Sequence, residues 1–300
     1  MIALVLVTYN RSVLLKEMLI SINRLDVKPQ CVFIIDNNSN DNTRDVINEF
    51  INYKDEFAVI YHNTGSNLGG AGGFEQGSRL AFDAGYEWIW LADDDVILEP
   101  DCLKQLLIHK NEADILQPLR MNLDGTCAEI SGIDYQIDNI FRLNPKQKRV
   151  VDIFDKDWVT CPIKTIPFEG PLINRRVFEK IGFPDGKFFI FYDDLDFAIR
   201  AERNNFKLIC VKSAKIIRKI PFIQSLALSS WKGYFMYRNF FKVQLTYGNK
   251  VVSMVRTLLI LMLVSLHSIF TGRAKSIFIL LDAFKDALRK DFPTNPKYKP

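Results

Sequence analysis

Two runs of adjacent carboxylates each follow apolar chain. The first ends the run W-I-W-L-A-D-D-D-V-I-L-E-P at residues 88–100, where Asp93, Asp94 and Asp95 follow five apolar residues. Three adjacent carboxylates at the tip of a buried strand repel one another unless a cation or ligand shares them. Mg2+ and Mn2+ take such hard oxygen ligands and keep positions open for substrate phosphates. In an extended segment Asp93 and Asp95 point to one face and Asp94 to the other. The second group follows F-F-I-F-Y at residues 188–192, where Asp193 and Asp194 open a helical pattern that carries Arg200 further along. Apolar surroundings desolvate a carboxylate, whereas a helix N-terminus favours its charged form. An ionised, poorly hydrated base of that kind suits proton abstraction from a hydroxyl. A plain helix cap is the simpler alternative for either residue. Arg200 stands near enough to neutralise an aspartate one turn back.

A third stretch, N-L-G-G-A-G-G at residues 67–73, can bring backbone N–H groups close to a phosphate or a sugar, or serve as a tight turn. It lacks the G-x-G-x-x-G order after a first strand, which argues against a dinucleotide site.

The elements that must hold these groups alternate. Apolar runs near residues 2–7, 31–35, 57–61 and 88–92 read as buried strands, with helical spacing between them. Asp41 or Asn42 caps the second helix. Fully apolar strands alternating with helices imply a mostly parallel α/β sheet covered on both faces. Ligands collect outside the carboxyl ends of such strands. Polar residues gather there: Thr8, Tyr9 and Asn10, then Asp36 and Asn37, then Asn63, then the aspartate triplet. Residues 123–167 read as short strands and loops around an acceptor cleft. Helices are expected at 175–181 and 193–204, and from 231 to about 290, before a polar tail.

The chain has 300 residues, 48% hydrophobic and 25% charged, enough for one good core plus an appendage. Five cysteines without a C-x-x-C pair suit reduced thiols in the cytosol. Between residues 203 and 281 there are thirteen Lys and Arg and no Asp or Glu. Such an interval marks an acidic partner: an anionic membrane surface, nucleic acid or a phosphorylated ligand. No nucleic-acid partner is expected. Within it, 16 residues separate Arg256 from Arg273, short of the roughly 20 needed to span a bilayer. A helix lying in the membrane interface is expected. Packing on the catalytic domain, or on a second copy as a homo-oligomer, is the alternative.

The ordered set V-T-Y-N-R (7–11), I-I-D-N-N-S (34–39), N-L-G-G-A-G-G-F (67–74), W-L-A-D-D-D (90–95), F-Y-D-D-L-D-F-x-x-R (191–200) and Y-F-M-Y-R-N (234–239) resembles family 2 glycosyltransferases of the GT-A fold. Galactofuranosyltransferases of bacteria are the nearest in pattern, rhamnosyltransferases next. The resemblance implies a catalytic domain at 1–230, divided into a nucleotide-sugar half at 1–100 and an acceptor half at 101–230. Helices at 231–292 and a tail at 293–300 would follow. It implies that Thr8, Tyr9, Asn10, Arg11, Asp36 and Asn37 line the nucleotide. Asn67, Gly69 and Gly70 would border the donor. Asp93 and Asp95 would hold Mg2+ or Mn2+, and Asp94 would face the donor sugar. Asp194 would be the base with Asp193 beside it, and Gly170 would sit at the acceptor cleft. The family often places a metal-binding His some two dozen residues after the base; here residues 214–219 offer Arg218 and Lys219 instead. The implied reaction is inverting transfer of galactofuranose from UDP-galactofuranose to a lipid-linked glycan, by a cytoplasmic enzyme peripheral on the inner face of the cell membrane. A dTDP-rhamnose donor, a nucleotidyltransferase and a non-catalytic glycan- or lipid-binding module are the alternatives.

Overall fold

In the N-terminal hundred residues, apolar strands alternate with one-sided helices: β1 (Ile2–Thr8), α1 (Ser12–Asn23), β2 (Cys31–Asp36), α2 (Thr43–Tyr53), β3 (Ala58–Asn63), α3 (Gly69–Asp83) and β4 (Trp88–Asp93). The computed structural model describes residues 1–54, 57–139, 141–142, 145–220, 230–273 and 276–298. β1 pairs in parallel with β2 and with β4, and β2 with β3. Leu15, Met18 and Leu19 of α1 and Ile47 and Phe50 of α2 bury against one sheet face. Phe74 and Ala81 of α3 bury against the other. Covering both faces explains why β1 and β2 are apolar at nearly every position. β3 is the exception to the expected burial: it is the edge strand, and Ile60 is exposed. The carboxylate of Asp41 meets the start of both α1 and α2, accepting from Ser12 N at 3.0 Å and Thr43 N at 3.1 Å.

The chain continues through β5 (Val96–Leu98), α4 (Cys102–Ile108), β6 (Ile115–Asn122), β7 (Gly132–Tyr135), β8 (Lys146–Arg149), β9 (Thr160–Pro162), β10 (Leu172–Asn174), α5 (Arg175–Ile181), α6 (Asp193–Arg203) and β11 (Leu208–Arg218). The sheet order is β3-β2-β1-β4-β10-β6-β11-β5, with β9 on β11, and β7 pairs with β8 apart from it. β10 is antiparallel to β4 and β6, and β11 runs parallel to β6. The sheet is therefore mostly parallel in its first half and mixed in its second.

Three helices close the chain: α7 (Trp231–Tyr247), α8 (Lys250–Phe270) and α9 (Ser276–Leu288). One expectation is corrected here. Arg256 does not bound the apolar helix; α8 runs through it for 21 residues, long and apolar enough by length and composition to cross a membrane. The reason is that Arg256 is 1% exposed, its guanidinium donating to the carbonyls of Ile137 and Asn139 and to Gln244 Oε1. The polar tail packs back onto the helices. Tyr298 is buried, stacked on Tyr234 with ring centroids 4.2 Å apart, and its hydroxyl donates to Asp282 at 2.7 Å.

Candidate active site

Thr8, Asp36, Asn63 and Asp93 end their parallel strands at the same rim, because the register aligns them: Thr8 opposite Asp36, Asp36 opposite Asn63, Val7 opposite Asp93. Asp36 is 2% exposed and accepts from Tyr61 Oη at 2.8 Å and Ser39 N at 2.8 Å. Asn10, in the left-handed region at φ 51°, links the first two rim loops. Its N–H donates to Ser39 Oγ at 2.9 Å and its Oδ1 accepts from Asn40 N at 2.8 Å. Tyr9 leaves its ring exposed at this rim. Asn37 is buried, donating from Nδ2 to Gly69 O at 3.1 Å, while its Oδ1 has no partner.

The glycine stretch is mainly a packing device. Asn67 Oδ1 accepts from Gly69 N at 2.9 Å and turns the chain into α3. Gly69 has φ +71°, and a Cβ there would lie 2.1 Å from the carbonyl oxygen of Phe189. The space at Gly69 therefore belongs to the loop before Asp193, and Ala71 N donates to the same oxygen at 3.1 Å. Gly70 by contrast borders open space.

The triplet departs from strict alternation. β4 stops at Asp93, and the chain turns at Asp94 and Asp95. Arg11 Nη1 consequently reaches Asp94 Oδ1 at 3.1 Å and Asp95 Oδ2 at 3.0 Å, so these two share one cation. Asp94 is 3% exposed and also accepts from Thr8 Oγ1 at 2.7 Å. Its oxygens are thus engaged by the β1 end rather than freely presented. Burial pushes Asp94 up to about 6, against the pull of Arg11 and the Thr8 hydroxyl. Burial, then Asp95 and Asp94, holds Asp93 well above the usual carboxylate range. Asp95 is raised by burial and Glu169, with Arg11 and Arg218 opposing.

The loop before α6 is strained. Phe189, Phe191 and Tyr192 have φ of 65°, 67° and 69°, and no glycine relieves them. Phe189 (ψ −59°) forms the rare γ-turn, closed by Ile190 N donating to Phe188 O at 2.8 Å. Each such residue costs about 1–3 kcal/mol, and such strain tends to gather at active sites. The loop delivers Asp193 and Asp194 to the first turn of α6, where Asp194 Oδ1 accepts from Leu195 N at 2.7 Å. Burial, then Asp194, raises Asp193 well above the ordinary range. Burial also raises Asp194, opposed by the Leu195 N–H, Lys146 and Arg120. Arg200 meets Asp196, one turn back, at 2.8 Å.

Between the two carboxylate groups runs an ionic chain that spacing alone did not suggest. Buried Arg120 of β6 clasps Glu129 through Nε at 3.0 Å and Nη2 at 3.2 Å, and reaches Glu169 at 3.2 Å. Glu169 also pairs with Arg218 Nε at 2.7 Å. Lys146 of β8 is the cation that most opposes the rise of Asp194. Glu169 is held by its neighbour Gly170, at φ +93°: Gly170 N donates to Leu91 O at 2.8 Å, and Trp90 Nε1 donates to Gly170 O at 2.7 Å. The sequence signals for this chain are Gly170, within F-E-G-P at residues 168–171, and Arg218. Arg218 and Lys219 stand where a metal-binding histidine was sought. Arg218 pairs across from Val96, and Lys219 N donates to Asp95 O at 2.9 Å. Among the described residues no three His, Cys, Asp or Glu side chains gather to hold a metal. Asp93 and Asp95 nonetheless fit a divalent ion bound jointly by two carboxylates and a ligand's phosphates. They are crowded, half-buried hard-oxygen donors at the mouth of the polar strand-end rim.

Residues 3–191 match the description of glycosyl transferase family 2, a span that takes in the whole rim and triplet and stops just short of Asp193. Galactofuranosyltransferase GlfT1 of Mycolicibacterium smegmatis is 26% identical over 203 residues, 67% of this chain and 65% of that protein. The chain thus matches slightly less than two thirds of that relative's length. The low-salt glycan biosynthesis hexosyltransferase Agl10 of Haloferax volcanii is 23% identical over 239 residues, 77% of this chain and 73% of that one. The mannosyltransferase PcManGT of Pyrobaculum calidifontis, solved with GDP-Man and Mn2+, superposes with a TM-score of 0.57 at 14% identity, over 97% of this chain and 76% of that one. S. aureus TarS 1-349, solved with UDP, does so at 0.55 and 14%, over 97% and 82%. The fold shared with these structures is the GT-A fold, and with residues 3–191 matching the family this chain belongs to glycosyl transferase family 2.

Proposed function

We propose that this chain is an inverting glycosyltransferase that moves galactofuranose from UDP-galactofuranose onto a hydroxyl of a lipid-linked cell-surface glycan. The observation that carries this reading is the contact of Phe189 O with Gly69 and Ala71. It abuts the loop of a buried carboxylate pair against the nucleotide rim. The nucleotide lies across Thr8, Tyr9, Asn10, Arg11, Asp36 and Asn37, with Asn67, Gly69 and Gly70 beside the donor. Asp94, tied to Thr8 and Arg11, forms the floor under the sugar. Asp93 and Asp95 would hold Mg2+ or Mn2+, and a bound ion offsets the charge that develops on the departing UDP. Arg218, on the far side of Glu169, adds positive charge where a histidine ligand would stand.

Asp194 takes the proton from the acceptor hydroxyl, whose oxygen attacks the anomeric carbon as the bond to UDP breaks. The electron pair leaves on the β-phosphate oxygen. A single base with no covalent sugar intermediate gives one displacement and inversion. Asp193 stands beside the base in the first turn of α6.

The catalytic domain spans 1–230, and the helices at 231–292 attach it to the inner face of the membrane. Support for attachment comes from α8, where Val251, Met254, Val255, Leu258, Met262 and Leu266 form part of one exposed apolar stripe. These positions recur at helical spacing, and the flanking chain has no acid. A screen of UDP-galactofuranose, dTDP-rhamnose and other donors against a synthetic lipid-linked acceptor, with products read by mass and NMR, tests the donor. Asp194→Asn should cut kcat by about 10³-fold while leaving UDP affinity unchanged; full transfer by that variant would sink the base assignment.

A further inference from the structure

The Y-F-M-Y-R-N element of α7 is not consumed by the chemistry above, yet it carries two of the most buried polar side chains in the protein. Arg238 and Asn239 are each 0% exposed. Asn239 Nδ2 donates to three carbonyls of the strained loop: Phe188 at 2.9 Å, Ile190 at 2.7 Å and Phe191 at 2.8 Å. Arg238 Nη2 adds Lys187 O at 2.7 Å and Phe188 O at 3.1 Å. Arg238 Nε donates to Asn239 Oδ1 at 2.9 Å, which fixes the orientation of the amide. A flipped amide would set its oxygen against three carbonyls and its NH2 against a guanidinium. A buried cation satisfied largely by carbonyls is a costly way to fill space. An apolar side chain would do that without desolvating a charge.

What Arg238 and Asn239 accomplish is local. They take up the carbonyls of the residues around Phe189 and Phe191, which strain turns away from ordinary secondary structure. From below, Phe235 stacks on Phe189 with centroids 4.8 Å apart. From above, Ala71 N holds Phe189 O. Arg238 Nη1 also donates to Pro293 O at 2.9 Å, and Tyr234 of the same helix donates to Asp286 at 2.7 Å. The loop is thereby tied to the chain's last described segment.

Resting on the assignment of Asp194 as base, we infer that Arg238 and Asn239 are positioning residues. They hold the 188–192 loop in its strained form and so set where Asp193 and Asp194 stand, and residues 286–298 brace them from behind. They touch no reacting atom, so their loss lowers turnover and leaves the donor rim intact.

The test is Asn239→Asp, which keeps the shape and replaces two N–H donors with lone pairs facing three carbonyls. With donor binding and transfer both measured, kcat should fall about 100-fold, the size expected for a misplaced catalytic group, while UDP affinity and donor KM stay within about twofold. A folded Asn239→Asp with kcat near that of the parent overturns the proposal. So does an equal loss of UDP affinity, which would mean general loosening. If Asn239→Asp does not fold, Arg238→Lys decides by the same two numbers: it keeps the charge and loses the fork, and about a tenfold loss confined to kcat is expected. Asp194→Asn in the same assay separates the two readings. Full activity there removes the base itself; loss there with full activity in Asn239→Asp removes only the clasp.

Discussion

The proposed donor rim and the proposed acceptor side are built by different rules. At the rim, each polar group stands at or just past the end of its own strand, and parallel register lines them up; Thr8, Asp36 and Asp93 need little beyond that. On the acceptor side the groups around Asp194 come from residues 120, 129, 146, 169 and 218, and ion pairs and captured carbonyls bring them together. Topology places the first set, and individual long-range contacts place the second. Damage to the rim should therefore show as lost ligand, and damage to the acceptor side as lost stability or lost turnover.

The sharpest break on the rim is Asp95→Asn together with chelation. Either should cut transfer by at least about 100-fold, with activity after EDTA restored by Mn2+. Transfer untouched by EDTA would show that Asp93 and Asp95 hold no working metal and that Asp95 serves Arg11 instead. On the other side, Arg120→Met should leave Glu129 buried and unpaired at 0% exposure. A loss of about 3–5 kcal/mol in denaturant unfolding is expected, with UDP still bound by whatever remains folded. A smaller effect is expected from Lys146→Met. With Asp194 as the proposed base, transfer would require it ionised, and because burial already raises its carboxyl the acid limb of kcat should lie above the ~3.9 of a free aspartate. Removing the nearby ammonium favours the protonated form further, so the limb should move to higher pH; a shift to lower pH would contradict the reading. Least disturbing to chemistry is Leu263→Glu on the exposed stripe of α8. It should leave kcat with a water-soluble acceptor unchanged and abolish flotation with anionic liposomes. A stable dimer that liposomes fail to dissolve would assign the stripe to a second copy.

The same contrast explains what could be read before any coordinates. W-L-A-D-D-D and I-I-D-N-N could be located because burial on two faces forces apolar strands, and the fold puts ligands at their ends. The aromatic approach to Asp193 was visible as composition, and Arg200 as its i, i+4 partner for Asp196. Alternation failed at the triplet because β4 ends at Asp93, so Asp94 and Asp95 turn to share Arg11. Glycine spacing leaves the neighbour unnamed for a related reason: a missing Cβ records close approach and does not say of what, and at Gly69 the visitor is Phe189. Glu169, Arg120, Glu129 and Lys146 could not be grouped, since each meets its partners across the fold. Arg256 read as a boundary because a cation in an apolar run usually is one, unless carbonyls elsewhere in the fold receive it, as those of Ile137 and Asn139 do here.

The seat of Phe189 O over Gly69 also bears on how such an enzyme can be rebuilt. The donor half and the acceptor half are interchangeable parts only if both faces of that seat travel together. A chimera that joins residues 1–100 of one relative to the remainder of another must supply a residue without a Cβ on one side and a loop strained to present its carbonyl on the other. Any side chain at position 69 would drive the two parts of the site away from each other, whatever the quality of either half alone.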